Sequence, residues 1–213
     1  MNLKTSMIFL LAVVVSHSAN RLHAAEFAVQ VFDQTGKPLA NAVIESPGDA
    51  VSYAPEEIAV IDQVNKRFVP MVIVIKTGQR VNFPNYDNIR HHVYSFSDIK
   101  QFSTELYADN PSSPITFERA GVAALGCNIH DSMVGYVYVS DWNDAGVTDE
   151  SGILRFSQEN IPDEISVWHP WSSDPNNRRT VSTQSVREGG TLEVRLNITA
   201  PNQIFGFKAL SAQ

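Results

Sequence analysis

The sequence is poor in cysteine, since Cys127 is the single one among 213 residues. No disulfide can therefore form within the chain, although proteins of oxidising compartments usually spend their cysteines in pairs. A covalent dimer or an inert buried thiol would be the simplest explanation of a lone cysteine. After its N-terminus the sequence also lacks any run close to the about 18 consecutive apolar residues that a membrane span requires.

The N-terminus has the pattern of a secretory signal peptide. Lys4 precedes an apolar run at residues 7–15, and small residues follow up to Ala25. We predict a signal peptide at residues 1–25, export to the periplasm and no membrane span after cleavage. An uncleaved anchor is the alternative, because His23 stands where a small residue is usual. Without this segment the chain has 14 basic and 23 acidic residues, a net charge of −9, which argues against nucleic acid as a partner.

Alternating and β-branched segments recur through the rest of the chain and are separated by Gly, Pro and Asn turns. They lie at residues 27–32, 71–76, 91–97, 134–139 and 191–198. Short strands at this spacing predict an all-β fold, a sandwich or barrel rather than βαβ units. Helical turns are expected only near residues 97–107 and just after Pro55.

The centre and the flanks of the chain differ in residue composition and in sequence pattern. Residues 55–140 contain Cys127 and every histidine of the predicted mature chain except His169. The flanks share Asp, a turn and Gly between two strand patterns, at residues 31–44 and 147–156, as a hairpin requires. These flanks resemble the transthyretin-like or carboxypeptidase-regulatory β-sandwich. The resemblance implies a smaller module formed by a first hairpin at residues 26–50 and the remainder at residues 145–200. The central domain would be inserted into it, with a C-terminal tail at 201–213; tandem order is the alternative.

The segment GCNIHDSMVGY (residues 126–136) carries the clearest chemical signal. It places Cys127, His130 and Met133 at three-residue steps directly before a strand. A thiolate, an imidazole and a thioether on one loop suit copper. Tetrahedral zinc would seek more Cys or His ligands, and an iron–sulfur cluster needs more than one cysteine.

A second histidine must come from elsewhere, and the predicted mature chain offers His91, His92 and His169. His169 lies in the flanking pattern with no thiolate nearby, so we interpret it as structural. Adjacent side chains on a strand face opposite ways, so only one of His91 and His92 should point at a metal. Spacing alone does not choose between them.

PNYDNIRHHV (residues 84–93) resembles the cupredoxin element in which an Asn/Asp-rich turn precedes the first copper histidine, and the Cys-x-x-His-x-x-Met loop resembles that of amicyanin. Nearly the whole predicted mature chain is similar to cupredoxin-containing proteins labelled methylamine utilization proteins. The resemblance implies a plastocyanin-like Greek-key sandwich with one copper ion. His91, Cys127 and His130 would be its equatorial ligands and Met133 its axial one. His92 would replace the usual Asn and hydrogen-bond the loop near Cys127, or serve as the alternative ligand.

These observations predict an exported type 1 copper protein that carries single electrons (Cu+/Cu2+) between redox partners whose identity the sequence does not give. No Ser/His/acid order or paired-carboxylate motif stands out, so we expect no enzymatic activity. The rival interpretations are a copper storage or delivery protein, and a binding module in which copper is only structural.

Overall fold

The fold was obtained as a computed structural model that describes residues 25–50, 56–111, 113–130, 132–158, 160–187 and 189–199. Residues 1–24 of the expected signal peptide and the expected tail at 201–213 lie outside this part of the chain. Among the described residues no helix is long and apolar enough to cross a membrane.

The described chain is all-β, as the sequence predicts, and its one helical element is a 3-10 turn at Pro175–Asn177. The strands of its first half are β1 Ala25–Phe32, β2 Val43–Ala50, β3 Ile58–Val60, β4 Asp62–Gln63, β5 Phe68–Val69, β6 Val72–Lys76, β7 Arg80–Asn82, β8 Val93–Ser97 and β9 Lys100–Ser103. Those of its second half are β10 Ile115–Thr116, β11 Gly121–Cys127, β12 Val134–Ser140, β13 Trp142–Val147, β14 Ile153–Gln158, β15 Glu164–Trp168, β16 Arg178–Ser182 and β17 Thr191–Arg195.

The helical turn expected near residues 97–107 is wrong. Strand β9 occupies Lys100–Ser103 and pairs antiparallel with β8, from Ser97 opposite Lys100 to Tyr94 opposite Ser103. The tight turn between Ser97 and Lys100 reverses the chain, so the segment completes a ladder instead of coiling.

All strands except β4 and β5 belong to four sheets that stack as layers. Sheet A has the order β14-β1-β17, sheet B β13-β2-β15-β16, sheet C β6-β12-β11-β8-β9 and sheet D β10-β7-β3. One apolar cluster lies between A and B, a second between B and C, and the largest between C and D. Sheets C and D thus form a β-sandwich of residues 58–140, and sheets A and B form another from the two flanks.

Alternation along single strands explains why sheets B and C can be covered on both faces. On β2, Ile44 packs between sheets A and B, while its neighbour Val43 packs between B and C. On β12, Val137 and Val139 enter the core between C and D, while Tyr138 faces sheet B. Successive strand residues point to opposite faces, so each such strand supplies two cores.

The strands expected to form hairpins at residues 31–44 and 147–156 do not pair with each other, and around the first turn there is only an isolated antiparallel bridge between Phe32 and Pro38. Strand β1 pairs with β14 and β17, and β2 pairs with β13 and β15, so β1 and β2 belong to neighbouring sheets. The same holds for β13 and β14, which flank the second turn. Asp33 and Asp149 do make tight turns, each accepting backbone N–H groups of its own loop. The turns carry the chain from one sheet to the next, and the segment at 26–50 is a crossover, not a first hairpin.

A buried carboxylate joins sheets B and C. Glu45 on β2 accepts hydrogen bonds from the Tyr138 hydroxyl at 2.9 Å, from Arg178 Nη1 at 3.0 Å and from the Ser140 hydroxyl. The Glu45 side chain is 12% exposed. Trp168 packs beside this network with its ring centroid 5.7 Å from that of Tyr138. Burial, followed by the charge of Glu45, raises the pKa of Tyr138, so the phenol stays protonated and donates.

We expect Glu45→Ala to lower the free energy of unfolding by about 2 kcal/mol, because it leaves three donors without their acceptor in a partly buried interface. Urea unfolding of the copper-free protein measures the effect. Glu193→Ala is the matched control, since Glu193 is exposed on β17, where surface changes stay within about 0.5 kcal/mol. Equal stability of the two variants would contradict the role assigned to Glu45.

Candidate metal centre

Cys127 is held at the end of a central strand. It is the last residue of β11, which lies between β12 and β8 in sheet C, and it pairs with Val93. The side chain is 2% exposed and forms no disulfide. A buried thiol at a strand end has a fixed direction, because the ladder sets its backbone.

His130 reaches the same place from the loop between β11 and β12. Its Nδ1 lies 3.9 Å from Cys127 Sγ, and the Met133 N–H donates to its carbonyl at 2.9 Å, which closes the turn. The ring is half-buried. Desolvation, followed by the nearby His91 and Lys66, lowers the pKa of His130, which favours the neutral imidazole that can bind a metal.

His91 comes from the chain entering β8, and its backbone is fixed against Tyr107. The His91 N–H donates to the Tyr107 carbonyl at 2.9 Å, and the Tyr107 N–H donates back at 3.0 Å. The His91 side chain is fully buried, and its Nδ1 lies 3.5 Å from Cys127 Sγ. Its ring centroid is 5.1 Å from that of His130, and the two ring planes are inclined by 52°.

The far nitrogen of His91 has an acidic partner. His91 Nε2 lies 2.8 Å from Asp87 Oδ2, and a carboxylate can only accept, so Nε2 carries the proton of the neutral imidazole, whose lone pair is then on Nδ1. Desolvation raises the pKa of Asp87, but hydrogen bonds from Lys66, His91 and Asn65 outweigh it and leave the pKa lowered. The lone pair of Nδ1 is therefore directed toward the sulfur side.

These three residues form one compact donor set. One atom from each of His91, Cys127 and His130 lies within 4.8 Å of the others, and two of the residues are buried. Two imidazoles and one thiolate are the donors of trigonal copper sites. The residues fit copper on this chemistry, since both Nδ1 atoms lie within 3.9 Å of Cys127 Sγ. Among the described residues no second such group of His, Cys, Asp and Glu occurs.

Met133 and His92 have different positions. Met133 is 1% exposed, belongs to the same apolar cluster as Cys127 and donates its backbone N–H to the His130 carbonyl, and its axial role stays a prediction. His92 does not join the group. Its Nε2 lies 2.8 Å from the Ser103 hydroxyl on β9, and its ring contacts Tyr94. The expected hydrogen bond from His92 to the loop near Cys127 is therefore wrong; its buried Nδ1 has no partner in the described part of the chain.

His169 lies in the flanking part of the chain, near Trp171. The Trp171 N–H donates to its Nδ1 at 3.2 Å. Burial lowers the pKa of His169 to about 4, against a weaker opposing effect of a backbone hydrogen bond with Ala40. These contacts account for a neutral, structural imidazole.

Sequence reasoning missed the residues that hold His91. Asp87 orients its ring, and Asn85 folds the intervening loop by accepting the Asp87 N–H at 2.9 Å and donating to the Ile89 carbonyl at 2.8 Å. The signal was the spacing Asn-x-Asp-x-x-x-His within residues 85–91. A short Asx-stabilised loop can turn a carboxylate back onto a histidine four residues later.

The centre is therefore a compact group of two histidines and one cysteine, two of them buried, at the end of a β-sandwich. No family model matches the sequence, and no curated protein matches it. Among solved structures, a reduced Cu(I) form of an amicyanin variant is similar at 23% identity, over 47% of this chain and 99% of that chain, with a TM-score of 0.36. A purple cupredoxin from Nitrosopumilus maritimus is 24% identical over 40% of this chain and 100% of its own, with a TM-score of 0.35. A copper-containing nitrite reductase from Thermus scotoductus SA-01 is 22% identical over 53% of this chain and 28% of its own, with a TM-score of 0.38.

Proposed function

We propose that this chain is an exported electron carrier with one copper ion per chain, bound by His91, Cys127 and His130. The observation that carries the proposal is the convergence of the three donor atoms within 4.8 Å at the end of sheet C. Copper bound there would supply one-electron oxidation and reduction between Cu+ and Cu2+. Export rests on the signal-peptide pattern at residues 1–25.

The residues around the site support electron transfer without large rearrangement. Cys127 is buried in a strand ladder, and His91 is buried and held by two backbone hydrogen bonds to Tyr107, so a change in the oxidation state of a bound ion would move them little. His130 is the donor that reaches the surface, beside Ile129, which is 48% exposed. Electrons would then enter and leave through His130, toward a redox protein as partner.

The flanking sheets would act as a separate module around the carrier. We propose that residues 26–50 and 145–200 form a transthyretin-like module with the copper domain inserted at 55–140. The pairing of β1 with β14 and β17 supports this proposal, because it joins strands from both sides of the copper domain in one sheet.

The test of the proposal is optical and electrochemical. The copper-loaded protein without residues 1–25 should show an intense thiolate-to-Cu2+ absorption, cycle reversibly by one electron, and hold its copper against a chelator in both oxidation states. A delivery protein would instead release copper readily in one of them. A structural site would show no reversible redox change, and chelation would collapse the thermal stability.

Met133→Leu tests the axial ligand. We expect copper and intense colour to be retained, because the trigonal donors are unchanged, and the reduction potential to rise by on the order of 60 mV. That rise corresponds to a tenfold weaker preference for Cu2+ when the thioether is lost. Voltammetry measures it. Leu125→Met, a swap of similar volume in the same apolar cluster, is the packing control and should leave the potential nearly unchanged. Equal reduction potentials in Met133→Leu and the parent would show that Met133 is not a copper ligand.

A further inference from the structure

A β-hairpin with a two-residue tip lies beside the metal centre, and its tip contacts the carboxylate of Asp87. Strands β4 and β5 form the hairpin of residues 62–69, and the turn is closed by hydrogen bonds between Val64 and Arg67 in both directions. The tip residues Asn65 and Lys66 both have left-handed backbones, with φ of 53° and 58°. Such a turn frees both tip N–H groups for another partner.

Both of these N–H groups are used on Asp87. The Asn65 N–H donates to Asp87 Oδ1 at 2.6 Å, and the Lys66 N–H donates to Asp87 Oδ2 at 2.8 Å. Oδ2 is the same oxygen that lies 2.8 Å from His91 Nε2. The Asp87 side chain is 12% exposed. The carboxylate is thus held from one side by the hairpin tip and offers its other side to His91.

The base of the hairpin is fixed to the same loop. The Gln63 N–H donates to the Pro84 carbonyl, and the Tyr86 N–H donates to the Gln63 carbonyl, each at 2.9 Å. At the other strand of the hairpin, Phe68 packs so closely on β12 that a Cβ added at Gly135 would lie 2.9 Å from its Cβ. The hairpin therefore bridges the loop that precedes His91 and the strand that follows His130.

We propose that the hairpin of residues 62–69 is a positioning element for the metal centre, and that Asp87 is the positioning residue through which it acts on His91. This inference rests on the proposed copper function. The carboxylate fixes the proton on Nε2, aims the Nδ1 lone pair and increases the electron donation of the ring. Stronger donation stabilises Cu2+ more than Cu+, so the hairpin lowers the reduction potential and tightens Cu2+ binding.

Asp87→Ala tests the carboxylate. We expect Cu2+ affinity, measured by competition with a chelator, to fall about 10–100-fold, and the reduction potential to rise, by about 59 mV for each tenfold loss that is specific to Cu2+. Asp87→Asn keeps the size but not the charge and should lie between Asp87→Ala and the parent, which keeps the test valid if Asp87→Ala does not fold. Glu105→Gln removes one exposed carboxylate on the loop before Tyr107 and controls for net charge; it should leave affinity and potential unchanged.

The tip is tested by a pair of substitutions at one position. Asn65→Gly tolerates the left-handed backbone, whereas the β-branched side chain of Asn65→Val opposes it and should displace the tip N–H groups. In the copper-free protein, ¹⁵N NMR should show His91 protonated on Nε2 in the parent and in Asn65→Gly, and a mixture of tautomers in Asn65→Val and Asp87→Ala. Asn65→Val should also raise the potential more than Asn65→Gly.

The possible failures are distinguishable. A parent that cycles reversibly with intense colour, and whose affinity, potential and His91 tautomer are the same in Asp87→Ala and Asp87→Asn, overturns the positioning role alone. A parent that binds copper without thiolate absorption overturns the proposed function and this inference together.

Discussion

Cys127→Ser should abolish the intense visible absorption of the copper-loaded protein and its tight copper binding while the fold persists. A hydroxyl is nearly the size of a thiol but is a poor ligand for copper, so the trigonal donor set loses its only anion. The loss of Cu2+ affinity should exceed the 10–100-fold that is typical when a residue behind a ligand is changed. Metal analysis and absorption spectra of the variant and the parent measure both effects.

Two controls separate this result from unfolding. The side chain of Cys127 is 2% exposed in an apolar cluster, so its replacement by Ser costs some stability, which urea unfolding of the copper-free proteins would report. Ser132→Ala changes the same loop without changing a donor and should keep colour and affinity. If a folded Cys127→Ser variant kept the intense colour of the parent, the Cys127 thiolate would not be a copper ligand, and the proposed function would be contradicted.

The strands and two of the donors were predictable from local sequence. The alternating residues at 134–139 and 191–198 do form strands: both faces of β12 are buried between neighbouring sheets, whereas β17 buries one face and exposes the other. The close approach of Cys127 and His130 follows from their spacing on one loop. The choice of His91 over His92 came only from the family resemblance. The two residues are adjacent and of the same type, so alternation indicates that one of them faces the metal but not which one.

Long-range pairing was not predictable in the same way. The Asp-turn-Gly patterns at residues 31–44 and 147–156 gave the turns correctly but not the partners of the strands that follow them. A turn of several residues can return a strand to its own sheet or pass it to the facing one, and the local sequence fixes only the change of direction. Here β2 lies in sheet B, where Glu45 accepts a hydrogen bond from Tyr138 of sheet C, and this contact between distant segments is not encoded in the turn.

The contacts behind His91 had no strong sequence signal either. Asp87 is held by backbone N–H groups of Asn65 and Lys66, more than 20 residues earlier in the chain. Every residue except proline has a backbone N–H, so the sequence shows only whether a residue type tolerates the left-handed backbone that both positions adopt. Asn is enriched there, but Lys is not. Only the folded arrangement brings the tip of the hairpin and the carboxylate together.

The neighbouring histidines provide the sharpest comparison of a donor with a non-donor. The two side chains leave the chain in opposite directions: His91 is fully buried against Cys127 and Asp87, while His92 lies against Ser103 and Tyr94. Removal of His91 leaves only two members of the donor set of His91, Cys127 and His130, whereas removal of His92 removes no member of it.

We therefore expect His91→Ala to abolish the intense thiolate absorption and to weaken Cu2+ binding at least as strongly as Asp87→Ala, and His92→Asn to leave spectrum and affinity close to those of the parent. Titration with Cu2+ followed by absorption spectroscopy measures both. External imidazole provides a further readout, because the space left by His91→Ala can accept it and restore part of the colour, whereas a merely misfolded variant cannot respond. His92→Asn should also leave the free energy of unfolding nearly unchanged, since the buried Nδ1 of His92 lacks a hydrogen-bond partner among the described residues. Loss of colour in His92→Asn with retention in His91→Ala would transfer the ligand role to His92 and contradict the geometry of the centre.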